Sequence, residues 1–184
     1  MLLKGGTRIL ALTGAPFVRR DDGELIIGLI ERMGNIEGSI SFRIKVDGSD
    51  ATSQLVTAIK HSKFSDQIRI IATNGVALGG LNIMDFERIS KDLGVGLVSV
   101  TRKRPRKSLL KKALSKDSNR IEKTEILDRI YSRIEIVRME GFYVQLMNVD
   151  EKSVRKRFDE IFSLLRTAHI IASGIGHGES RGRI

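Results

Sequence analysis

The chain is 184 residues long, with 32 Lys and Arg against 22 Asp and Glu, a formal charge of +10 at pH 7 and no cysteine. That length suits one domain with a substantial core, and the missing thiols exclude disulfides, thiol catalysis and cysteine-based zinc sites. No apolar run approaches the ~18 residues of a membrane span, and the N-terminus is a poor signal peptide. The expectation is a soluble cytoplasmic protein with a polyanionic partner.

Three apolar runs rich in Ile, Leu and Val come first: Arg8–Leu12, Leu25–Glu31 and Ile40–Val46. Turn formers bound them at Asp21-Asp22-Gly23, Gly34-Asn35 and Asp47-Gly48, so each reads as a strand. Ala51, Leu55, Val56 and Ile59 fall on one face of a helix. Ile68–Ala72 is a short continuous apolar run, as a buried parallel strand would be. Asp85–Leu93 reads as a helix and Val95–Val100 as a further strand. A three-strand antiparallel meander followed by βα units outlines an α/β fold. By analogy this is a ribonuclease-H-like mixed sheet with flanking helices, spanning 1–184 as one domain.

Seven cations, Arg102, Lys103, Arg104, Arg106, Lys107, Lys111 and Lys112, lie in the 11 residues from 102 to 112, which hold no acid. They begin where the Val95–Val100 strand ends, and the carboxyl ends of parallel strands are where open α/β sheets bind ligands. The cluster reads either as a footprint for a phosphate backbone or as a solvated basic loop and helix. Ile121, Ile126, Leu127, Ile130 and Ile134 then mark a helix over Asn119–Ser132. Ile134–Arg138 and Phe142–Asn148 read as strands around a Glu140-Gly141 turn, and the alternation in the second predicts a half-exposed edge able to pair with another copy. Val154, Phe158, Ile161 and Leu165 form an amphipathic stripe with Asp150 as N-cap. Thr167–Ser173 reads as a last buried helix stopped by Gly174 and Gly176. The glycines at 174, 176 and 178 make no phosphate loop, since no Gly-Lys-Ser/Thr follows.

Several stretches carry a resemblance: Arg8-Ile9-Leu10 with Ala15-Pro16-Phe17; Val46-Asp47-Gly48-Ser49-Asp50-Ala51-Thr52; Gln67–Ile70 with Asn74-Gly75, Leu81-Asn82 and Asp85; Thr101–Pro105; and Arg166–Gly174 with Gly178–Arg183. On these the sequence resembles, from end to end, the endonuclease dU family, mainly archaeal and distantly related to endonuclease V. The resemblance implies a ribonuclease-H-like fold and DNA as partner. It also implies cutting of DNA with deaminated bases such as deoxyuridine, with Mg²⁺ or Mn²⁺ held by carboxylates at neighbouring strand ends. It implies further an acidic pair after the first strand, where this chain has Thr13-Gly14, and an Asp where it has Asn74. Both departures remove charge from positions expected to hold metal, and hard cations bind more weakly as ligand charge falls.

Asp47, Asp50, Asp85, His169 and Glu179 are the remaining catalytic candidates, with Asp50, Asp85 and Glu179 as the metal set. Arg102, Lys103, Arg104, Arg106, Lys107, Arg166 and Arg181 are the candidates for nucleic-acid contact. Each acid has a local alternative: Asp47-Gly48 is a turn signal, and Asp50 stands where a helix N-cap would. His169 shares a helix face with Arg166 at i, i+3, near the active centre in endonuclease V relatives, yet a lone His in an apolar run is as often a core residue. Two functions stand: a metal-dependent endonuclease, and a non-catalytic nucleic-acid-binding protein of the same fold. A third, a small-molecule α/β protein with incidental basicity, predicts no DNA affinity at moderate salt.

Overall fold

Strand β1 (Arg8–Gly14) is buried on both faces, and the rest of the chain is organised around it. In the computed structural model, which describes residues 1–3, 6–17 and 23–180, β1 pairs antiparallel with β2 (Glu24–Arg32) and parallel with β4 (Ile68–Thr73). Its side chains alternate: Ile9 and Ala11 enter one core, Leu10 and Leu12 the other. A strand with two apolar faces reads as a continuous apolar run, as this one does. β3 (Asn35–Ile44) flanks β2, β7 (Gly96–Thr101) runs parallel to β4, and β9 (Phe142–Met147) and β8 (Glu135–Met139) complete the far side. The sheet has seven strands in the order β3-β2-β1-β4-β7-β9-β8.

Helices cover both faces. On one, α1 (Ala51–Lys60), α2 (Phe86–Leu93) and α4 (Arg120–Arg133) bury Leu55, Ile59, Ile89, Leu127 and Ile130 against Leu10, Leu12, Ile71 and Leu97. On the other, α5 (Glu151–Lys156) and α6 (Phe158–His177) bury Val154, Ile161, Leu165 and Ala168 against Ile9, Ala11, Ile70 and Val98. The predicted meander and the βα units that follow it are therefore present. Among the described residues no helix is long and apolar enough to cross a membrane.

Four local expectations change. β3 starts at Asn35 rather than Ile40, because Met33 (φ 54°) and Gly34 (φ 82°) make a two-residue hairpin with both central residues left-handed. β3 ends at Ile44, two residues early, where the chain leaves for Asp47 (φ 51°). Phe142–Asn148 is not an exposed edge: β9 lies between β7 and β8, and β8 is the edge. Its polar alternation faces a polar interior seam rather than solvent, since Gln145 is 1% exposed and stands beside buried Ser99. Finally, Thr167–Ser173 is the middle of α6, a 20-residue helix that passes through Gly174 and Gly176 and ends at left-handed Gly178.

The chain breaks earlier, at Arg157, whose guanidinium reaches Glu160 at 2.7 Å and the Thr7 carbonyl at 3.3 Å. Short α3 (Lys107–Ala113) and the small β5 (Ala77–Leu78) and β6 (Asn82–Ile83) ribbon lack a sequence period long enough to reveal them.

The two helical glycines differ in surroundings. A Cβ at Gly174 would meet no heavy atom within 4 Å, whereas one at Gly176 would stand 2.8 Å from Pro16 Cδ. Gly174→Ala is expected to stabilise the protein by about 0.5–1 kcal/mol through helix propensity alone. Gly176→Ala is expected to destabilise it, because the Pro16 ring and backbone must move aside. Urea unfolding of the two variants checks the opposite signs.

Candidate functional site at the strand tips

Parallel pairing brings the carboxyl ends of β1, β4 and β7 to one edge, with Leu12 opposite Thr73 and Thr73 opposite Ser99. Two adjoining cavities open there. The first, about 410 Å³, is lined by Thr13, Gly14, Asn74, Arg102, His169 and the rings of Phe142 and Phe162. Those two rings lie 4.5 Å apart between centroids, forming its apolar wall. The second, about 370 Å³, shares Asn74 and Thr101 with the first and runs under the segment Lys103–Arg106 towards Tyr131 and Gln145. Together they form a trough with cations on its rim.

Arg102, Lys103, Arg104 and Arg106 are exposed, and none has a carboxylate within salt-bridge distance among the described residues. Lys107 differs from this group. It and Lys111 pair with Asp128 at 3.0 and 2.8 Å, and they hold that carboxyl below its usual range, Lys111 contributing most. Their work is to dock α3 on α4. Arg166 is exposed on α6, one turn before His169, while Arg181 lies outside the described residues.

The predicted acids do not gather in the trough; neither cavity is lined by Asp47, Asp50, Asp85 or Glu179. Asp47 Oδ1 accepts from the Leu81 amide at 2.7 Å, and its own carbonyl accepts from Lys123 Nζ at 2.8 Å. Asp50 occupies the N-cap position of α1 without capping it: Oδ1 accepts from Asn82 Nδ2 at 2.7 Å and from the Lys45 amide at 3.1 Å. Asp85 caps α2 through the Arg88 amide and binds Arg129 at 2.7 Å. Glu179 lies past the end of α6, exposed. Among the described residues no three His, Asp or Glu side chains are grouped to hold a metal. Asp47, Asp50 and Asp85 pin loops and helix starts. Of the predicted catalytic set, His169 lines the trough, with Nε2 3.5 Å from Ser173 Oγ.

Sequence reasoning missed Glu24. It opens β2, is 5% exposed, and fills the space a side chain at Gly14 would take: a Cβ there would sit 1.8 Å from Glu24 Oε1. Burial raises its pKa from 4.5 to about 7, against a smaller opposing effect of a Gly79 backbone hydrogen bond. Oε2 has no hydrogen-bond partner among the described residues. The signal was available in the strand period, because Glu24 is in phase with inward-facing Ile26 and Ile30.

A hard divalent cation fits this donor set poorly. Thr13 and Asn74 offer neutral oxygens, and Arg102 brings positive charge into the same cavity.

A model of the family described as endonuclease dU matches residues 5–176. A UPF0215 protein of Methanothermobacter thermautotrophicus is 31% identical over 195 residues, covering 98% of this chain and 93% of its own. Another, of Methanosarcina mazei, is 33% identical over 192 residues, covering 98% and 96%. A crystal structure of a protein of unknown function from Archaeoglobus fulgidus aligns with TM-score 0.82 at 27% identity, over 94% of this chain and 99% of that one. Human ENDOV aligns with TM-score 0.52 at 8% identity, over 91% and 83%, a likeness of fold.

Because the folded-state pKa of Glu24 lies above its ordinary value, its protonated form favours the fold. That contribution is complete below about pH 4.5 and is lost as pH rises through about 7. Glu24→Gln is expected to flatten the stability profile across this window and to exceed the wild type at pH 8 by roughly 1–3 kcal/mol, read from urea midpoints. Gly14→Ala is expected to be strongly destabilising alone and much less so on a Glu24→Ala background. A double-mutant cycle should give a coupling of about 1–3 kcal/mol.

Proposed function

The chain belongs to the endonuclease dU family, and from that premise we propose that it is a nucleic-acid-binding protein that docks a phosphodiester backbone in the strand-tip trough. The observation that carries this reading is the row of Arg102, Lys103, Arg104 and Arg106 on the rim of a cleft at the ends of β1, β4 and β7. Guanidinium and ammonium groups neutralise phosphates and release counterions, which supplies affinity without selecting sequence. Exposed Arg166, on the helix that carries His169, extends the same cationic side. DNA is the partner that the family description favours, and a cysteine-free chain suits action in the cytoplasm.

Binding here does not draw on a metal. The strand tips present Thr13, Asn74 and His169 with Arg102 beside them, so phosphate oxygens meet donors and a cation directly. One observation favours a second reading, the metal-dependent endonuclease acting on DNA with deaminated bases. Glu24 is a buried carboxyl at the strand tips and, once ionised, supplies an oxygen of the kind a hard cation binds.

Fluorescence anisotropy with a labelled duplex separates these from each other and from a small-molecule role. Binding should persist in EDTA and weaken with salt. Replacing Arg102, Lys103 and Arg104 together by Ala should reduce the log–log salt slope by about 2–3. A flat titration of the wild type at low salt overturns the reading. Incubation of uracil- and inosine-containing duplexes with Mg²⁺ or Mn²⁺ should leave them intact; metal-dependent nicking lost in Glu24→Gln establishes the endonuclease instead. Asp85→Ala is a poor control for that assay, because it removes the cap of α2 and the partner of Arg129.

A further inference from the structure

We propose that the end of the sheet opposite the trough is a docking surface for an acidic amphipathic helix of another protein. It is a second surface, separate from the nucleic-acid reading above and independent of it. Two cavities adjoin at the end where β1 and β4 begin. One, about 820 Å³, is lined by Leu2, Leu3 and Met33 with Lys152 and Lys156 of α5. The other, about 720 Å³, shares Leu2 and runs past Met1 to Arg69. A groove with apolar walls and a cationic side takes a helix that carries an apolar stripe between carboxylates.

The apolar residues here serve the fold poorly. Met33 sits at φ 54° in the β2–β3 hairpin, a left-handed position that favours Asn or Gly and penalises a long side chain. Its side chain is nevertheless 67% exposed, so burial does not offset that penalty. Leu2 lines the same cavity and is 72% exposed, although the backbone before it is held, since the Asp150 amide donates to the Met1 carbonyl at 2.8 Å. Apolar side chains presented on a fixed backbone and rimmed by charge mark a contact surface, and a methionine adapts its shape to what it meets.

The charges point the same way. Lys152 and Lys156 stand one turn apart on α5, where like charges repel rather than stabilise the helix. Both are exposed, and neither makes a salt bridge among the described residues. The acids that line the first cavity are already engaged. Asp150 accepts from the Ser153 amide and hydroxyl, each at 2.8 Å, and Glu160 binds Arg157 at 2.7 Å. The two lysines are left for a partner's carboxylates, which orient it while the apolar side chains supply the contact area.

The test uses two fluorescein-labelled peptides of about eighteen residues with leucines at i, i+3, i+4 and i+7, one flanked by Glu and the other by Lys. The wild type is expected to bind the Glu peptide about 10-fold more tightly in anisotropy titrations. Lys152→Glu with Lys156→Glu should remove this preference. Lys112→Glu with Lys116→Glu, the same charge change beyond the carboxyl end of β7, should not. Met33→Asn should weaken the Glu peptide about 5-fold while raising the urea midpoint, because the turn gains a residue it favours. Equal affinity for both peptides, or a preference unchanged by the Lys152 and Lys156 reversal, overturns the proposal. A wild-type dimer in sedimentation that Met33→Asn splits also overturns it, the occupant then being a second copy. Displacement of the Glu peptide by excess DNA duplex, which would make this face part of the nucleic-acid footprint, overturns it as well.

Discussion

One collision decides what the tips of this sheet hold. The Glu24 carboxyl and a side chain at position 14 compete for the same volume, and in this chain the carboxyl has it. Gly14 is thus fixed by packing, with its backbone alone facing the cavity. The consequence spreads through the site. A carboxyl held behind β1 against Gly79 is poorly solvated, so it keeps its proton to unusually high pH and contributes little negative charge to the trough. Thr13, Asn74 and His169 are left as the polar groups at the mouth, under a rim of arginines and lysines.

The remaining acids have been drawn into architecture. Asp47 and Asp50 tie the end of β3 to the β5–β6 ribbon through Leu81 and Asn82, and Asp85 starts α2 while holding Arg129 of α4. Buried Lys123 joins Asp117 at 2.6 Å to the Asp47 carbonyl at 2.8 Å, so α4 is stitched to the same loop. A buried ion pair with its hydrogen bonds satisfied specifies position more than it adds stability. The negative charge of this half of the molecule is spent on fixing loops, and the positive charge is left outward at the strand ends.

Much of the fold was legible because burial imposes a period. β1, β4, β7 and α1 are legible as apolar runs or an apolar helix face. Two of the failures share a physical origin, which is that a polar residue in a strand can face the interior. Tyr143 and Gln145 alternate as a solvent edge would, yet β9 is covered by β8 and α4, and the seam includes Ser99 and Tyr131. Glu24 was lost next to Asp21-Asp22-Gly23, where an acid reads as part of a turn. Gly174 and Gly176 read as a helix stop in the sequence, which does not reveal that Gly176 leaves room for Pro16. Cationic residues past β7 were legible as a group, whereas the pairing of Lys107 with Asp128 depends on a helix contact that no local pattern encodes.

The close packing at Gly176 also sets where one wall of the cleft stands. α6 rides directly on the chain leaving β1, and two turns earlier the same helix carries His169 to the cavity shared with Thr13. A Cβ at position 176 would stand 2.8 Å from Pro16 Cδ, so the helix packs there at a distance that only glycine allows. A side chain at that point would push α6 away from β1 and draw His169 back from the cavity it lines.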